Sequence, residues 1–160
     1  MYEHVYLSRW NPDWEADLID RSTPLEERLC RFYTSYSQVI LTYEWVRLFM
    51  FAGLKGLDFN RRYLAFLRTH IFDKIVGEIR AAHRLDEKVP VRAEELELIW
   101  GLHAAIFYLG VRQYIYNMPA PDDVEADIAL KVQAFLDGAP ASLRRLAKAG
   151  RSTRTRAAKA

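Results

Sequence analysis

Apolar and polar positions alternate at helical spacing along most of this chain, and the pattern is densest over residues 94–116, EELELIWGLHAAIFYLGVRQYIY. At about 100° per residue, Leu96, Trp100, His103, Phe107 and Tyr114 share one side, while Leu98, Leu102, Ala105, Leu109 and Tyr116 share the other. The polar strip between them holds Glu94, Glu97 and Arg112 and is narrow. Such a helix needs cover on both sides, from its own fold or from a second copy.

The rest of the chain divides around it. The opening stretch YEHVYLSRW is a short amphipathic helix candidate that begins without a cap, as if inside an element. Residues 11–22 read as a connection that Trp14, Leu18 and Ile19 pin to the core. Thr23, Pro24 and Glu26 form a helix start, with Thr23 as cap and Pro24 at the first helical position. The stripe Leu25, Leu29, Phe32, Tyr36, Val39, Ile40 and Tyr43 then carries one helix to about residue 51, where Gly53 and Gly56 break it. Asp58 caps a helix over residues 59–84 that is again two-sided, with Tyr63, Phe66, Leu67 and His70 against Leu64, Ile71, Phe72, Ile75 and Ile79. Residues 86–91 turn into the central helix. Pro121, Asp122 and Asp123 open a last one with the stripe Val124, Ile128, Val132 (or Lys131) and Phe135 and a stop at Gly138. No strand-like alternation or repeat interrupts this, so the expected fold is an all-α bundle of about five main helices. Residues 1–22 are expected to be linker helix and connection, 23–139 the folded domain, and 140–160 a basic, disordered tail.

Composition sharpens the question of what the rings are for. Aromatics make up 13% of the chain, with nine Tyr, eight Phe and four Trp, and rings in such number need burial or a ligand. The net charge of +2 conceals seven Lys or Arg from Arg144 onward with no Asp or Glu, which leaves the preceding residues acidic. That basic end reads first as a solvated terminus and second as a weak contact for nucleic-acid phosphates. A single cysteine, Cys30, and no secretory signal imply a reducing cytoplasmic setting. No apolar run reaches the about 20 residues of a bilayer span.

Little in the sequence points to catalysis. His4, His70, His83 and His103 form no metal-ligand spacing, Cys30 has no partner base in view, and no phosphate loop or nucleophile elbow occurs. The expectation is a non-enzyme with no metal and no cofactor. His70 and His103 each sit on an aromatic helix face, and each reads either as a satisfied core histidine or as a polar group in a pocket.

The succession PLEERLCRFYTSY, EWVRLFMFAGLKGLDFNRRYL, ELELIWGLHAAIFYLGVRQYIY and VEADIALKVQAFLDGA resembles the regulatory C-terminal domain of TetR-family transcriptional repressors over about residues 2–139. The opening helix is similar to that family's linker, whereas its helix-turn-helix head does not appear in this chain, so a truncated or headless relative is expected. The resemblance implies an inducer cavity for a small apolar or aromatic effector, lined by Trp45, Phe49, Phe66, His70, Trp100, His103, Phe107 and Tyr108. It also implies a homodimer in which the last two long helices form a four-helix bundle through Leu102, Ile106, Leu109, Val124, Ile128, Val132 and Phe135. DNA would be contacted only through the missing head, and no membrane partner is implied. The alternative is a headless helical interaction protein that dimerises without a ligand.

Overall fold

The computed structural model describes residues 9–157, with side chains described as far as Ala149. The linker helix expected over YEHVYLSRW lies mostly outside the described residues. Helices α1 (Asp13–Ile19), α2 (Leu25–Ile40), α3 (Tyr43–Leu54), α4 (Phe59–Leu67), α5 (Asp73–Ala82), α6 (Ala93–Tyr114) and α7 (Val124–Ala157) follow one another, a π turn at Arg68–Phe72 joins α4 to α5, and no strand occurs among the described residues. The all-α bundle is therefore the observed architecture.

Four helix boundaries differ from the sequence expectation. Residues 13–19 are helical rather than a connection. The Asn11 side chain accepts the Asp13 amide at 3.0 Å, and Trp14 and Leu18, one turn apart, are buried against α2 and α5, while Ile19 stays exposed. At α2 the expected Thr23 cap is not made, because Pro24 itself takes the cap position without a side-chain bond. The single helix expected to residue 51 is two helices. Thr42 adopts an extended backbone and its hydroxyl accepts the Trp45 amide at 3.3 Å, starting α3 afresh. Gly138 is not a stop, since α7 runs through Gly138 and Pro140 to Ala157. Ala139, Pro140 and Leu143 are buried, and the Arg92 guanidinium donates to the Leu146 carbonyl at 2.8 Å. Tertiary burial thus outweighs the lost proline N–H, and residues 140–149 are packed helix rather than disordered tail.

The π turn explains why the 59–84 pattern looks two-sided. Phe59, Tyr63, Leu67, Ile71, Ile75 and Ile79 are all buried at steps of four, and such a run drifts by about 40° per step on an ideal helix. The wider π turn, closed by the Asp73 N–H on the Arg68 carbonyl, takes up the drift and keeps one face inward.

α7 lies across α2, α6 and α5, α1 caps α2 and α5, and α3 packs beside α4 and α6. The seam between α3 and α6 is tight. A Cβ on Gly110 would lie 2.9 Å from Val46 Cγ2 and 3.1 Å from Leu41 Cδ2, and Val46 is fully buried. A mid-helix glycine ordinarily gains about 1 kcal/mol on replacement by Ala, but a β-branched neighbour has no rotamer to yield into. Gly110→Ala is therefore expected to destabilise by about 1–3 kcal/mol. At Gly77, with open space at the same position, Ala is expected to stabilise by about 0.5–1 kcal/mol. Paired urea titrations check the opposite signs.

Candidate functional site

Helices α2, α3, α4 and α6 converge on a cavity of about 190 Å³ lined by Tyr36, Trp45, Phe49, Tyr63, Leu64, Trp100, His103, Ala104 and Phe107. These helices are closely set, α3 approaching α6 at Gly110. They bring Phe49 to 5.6 Å from Phe107 and Trp45 to 5.7 Å from Tyr63, both edge-on. The π turn contributes Phe72 behind the wall, its ring 4.6 Å from Trp100 and 5.1 Å from His103.

The polar groups of the cavity form a short chain. The Tyr36 hydroxyl meets the Tyr63 hydroxyl at 3.0 Å and His103 Nε2 at 3.5 Å. His103 is buried, its Nδ1 has no partner, and burial lowers its pKa to about 4, so the ring is neutral near pH 7. Burial likewise pushes the Tyr36 and Tyr63 hydroxyls upward. The lining holds no Lys, Arg, Asp or Glu, so the cavity suits an uncharged occupant.

Of the eight expected lining residues, Trp45, Phe49, Trp100, His103 and Phe107 share this cavity. Phe66 and His70 lie on the other side of α4 and the π turn. There the two rings lie tilted with centroids 4.0 Å apart, Trp10 meets Phe66 at 4.7 Å, and His70 Nδ1 pairs with Glu15 Oε1 at 2.6 Å. Lys74 joins the same carboxylate at 3.1 Å. Burial acts to raise the Glu15 pKa, yet the hydrogen bonds from Lys74 and His70 hold it below the usual carboxylate value. Tyr108 is half exposed beside Tyr116. Tyr36 and Tyr63 were read only as members of buried stripes. The usable signal was the residue type, because a tyrosine at a core position brings a hydroxyl that seeks a partner.

The expected dimer residues need correction. Leu102, Ile106, Leu109, Ile128 and Val132 are buried within one subunit, with Val124 and Phe135 half buried at the edge. The five buried side chains pack inside the subunit and are not free for a subunit contact, while Val124 and Phe135 keep part of their surface.

Other groups offer less. A recess of about 410 Å³ between the ends of α2 and α6 and the start of α7 is lined by Ser37, Gln38, Gln113 and Glu125 among others. It is larger, but it gathers one aromatic ring, Tyr114. Burial, with Glu26 beside it, raises the Cys30 thiol, which disfavours the thiolate. Among the described residues no cluster of His, Cys, Asp and Glu is arranged to hold a metal, and no helix is long and apolar enough to cross a membrane.

Comparisons with family models, curated proteins and solved structures return no match.

Proposed function

We propose that this chain is a ligand-sensing regulatory domain of the TetR type, binding a small apolar or aromatic molecule in the cavity between α2, α3, α4 and α6. The reading is of a binding domain rather than an enzyme, acting in the cytoplasm. The observation that carries it is the convergence of Trp45, Phe49, Trp100 and Phe107 on a neutral histidine in one cavity of about 190 Å³. A dry cavity of roughly 150 Å³ holds a benzene, so a single substituted ring fits this space. The π turn supports a route outward. Its Phe72 touches the cavity histidine and Trp100, and its His70 grips Glu15 of α1, the segment that follows the linker position in such repressors. A ligand that favours one arrangement of this turn would shift the position of whatever precedes α1.

Ala104 borders the cavity yet is solvent-exposed, which puts it at the mouth. Ala104→Trp is expected to weaken binding of a single-ring aromatic such as toluene by at least about tenfold, with little change in Tm, because an exposed helix position tolerates the larger side chain. Calorimetric titration of both proteins with toluene measures it. Unchanged affinity would overturn the cavity as the binding site.

The reading includes a homodimer, moved from the buried seam to an outward surface. The exposed apolar side chains Leu48, Phe51 and Leu54 of α3 favour that face, and they equally serve the second reading, a headless interaction protein without a ligand. A monomer in sedimentation at micromolar concentration would sink both dimer claims.

A further inference from the structure

We infer that Arg9, in the segment ahead of α1, is a positioning residue for the cavity: it holds the break between α2 and α3 that sets Trp45 in the wall. The inference rests on the ligand-binding reading above and adds what keeps that site in shape. Its starting point is that the sequence does not enforce the break. The apolar stripe of α2 runs on through Tyr43, and no Gly or Pro lies between Leu25 and Ala52.

In an unbroken helix the Val39 carbonyl would accept the Tyr43 amide, and the Leu41 carbonyl would accept the Trp45 amide. The structure uses substitutes. The Arg9 guanidinium donates to the Val39 carbonyl at 3.1 Å, and the Trp45 amide donates to the Thr42 hydroxyl at 3.3 Å. The same Arg9 nitrogen, Nη1, also reaches the Thr42 hydroxyl at 3.4 Å, and the guanidinium carbon lies 5.7 Å from the centre of the Trp45 ring. One side chain therefore touches the end of α2, the cap of α3 and the cavity ring that this cap places. Leu41 and Val46 lie close to Gly110 of α6, so the break survives the loss of Arg9, but its geometry loosens. An orphan carbonyl on α2 and a weakened cap on α3 leave Trp45 less ordered before a ligand arrives, and ordering it then costs affinity.

The test uses the full chain, with calorimetric titration of toluene and NMR relaxation of the backbone amides. Arg9→Met keeps a long side chain but removes the donor and the charge. It is expected to weaken toluene binding about tenfold, a change that lower stability alone would not produce in folded protein. It should also reduce the order parameter of the Trp45 amide from the rigid value of about 0.85, while Ile75 in α5 keeps its own. Adding Tyr43→Pro to that variant is expected to restore both readouts. Position 43 is the first of α3, where proline is favoured, and a proline there forbids the unbroken helix and demands the extended backbone that Thr42 already has, φ −103° and ψ 155°. Wild-type affinity in Arg9→Met, or a loss that Tyr43→Pro does not repair, would overturn the inference while leaving the cavity reading in place. Failure of the wild type to bind toluene at millimolar concentration would overturn the cavity reading. The Trp45 order parameter then decides on Arg9 by itself, and an unchanged value in Arg9→Met overturns the inference.

Discussion

Glu95→Ala is expected to destabilise the fold by about 3–5 kcal/mol, the range for removing one partner of a buried ion pair. Arg80 and Glu95 are almost fully buried, and the guanidinium reaches Glu95 Oε2 at 2.6 Å and Oε1 at 3.3 Å. The same carboxylate accepts the Arg92 amide at 2.9 Å, closing the N-terminus of α6, while Arg80 also donates to the carbonyls of Val89 and Pro90. One side chain thus joins α5, the connection after it and the helix that walls the cavity. Truncation leaves the Arg80 charge buried and the first turn of α6 uncapped. Removing both charges with apolar residues of similar volume, Arg80→Met with Glu95→Leu, is expected to recover most of the loss. Glu87→Ala, which removes a half-exposed partner of Arg21, should cost no more than about 1 kcal/mol. Urea unfolding with unchanged m-values checks the ordering. The outcome that defeats the argument is an Ala variant at position 95 as stable as the wild type.

Much of this architecture is visible in the spacing of apolar residues. The central helix, the glycine-bounded end of α3 and the Asp123 start of α7 all follow from it, the last confirmed by the Ala126 amide on Asp123 Oδ1 at 2.8 Å. What misled was chemistry that a hydrophobic count cannot resolve. Ala105 was placed on an apolar side and Tyr108 in the cavity, yet both are exposed with Gly101 and Ala104, so α6 has a broader outer face than the strip of Glu94, Glu97 and Arg112 suggests. The demand for a second copy to cover it disappears with that correction. The Asn11–Pro12 start of α1 carries the same polar-residue–proline pattern as Thr23–Pro24, but with Asp13, Asp17 and Asp20 after it the stretch reads as a connection. At the cavity, Trp45, Phe49, Trp100, His103 and Phe107 share one space, whereas Phe66 and His70 lie on the other side of α4. Both sit on the flank of α4 and the π turn that meets Trp10 and Glu15, a choice between flanks that an apolar count does not make. The buried pairs of Arg28 with Glu78 and Arg80 with Glu95 were equally silent, since a charged residue at the edge of a helical stripe reads as solvated.

Between pH 7 and pH 4 the protein is expected to lose about 3 kcal/mol of stability through His103 alone, from a pKa difference converted at 1.36 kcal/mol per unit. Burial lowers this imidazole from its ordinary 6.5 to about 4 in the folded state, so within that window the unfolded chain binds the proton and the folded chain does not. Stability therefore rises with pH through the window, is complete above pH 6.5, and levels off below pH 4. The groups facing the ring cannot mimic the effect. Tyr33 and Tyr36 from α2 and Tyr63 from α4 are held neutral by burial, and Phe72 and Trp100 carry no charge. Carboxylates whose pKa is lowered, Glu15 and Glu78 through their cationic partners, lose their contribution only as pH falls below about 4.5. The two sources thus separate on the pH axis. His103→Phe should flatten the upper part of the curve and leave the acidic limb, and an unfolding midpoint that keeps the wild-type slope between pH 7 and pH 5 in that variant would refute the assignment.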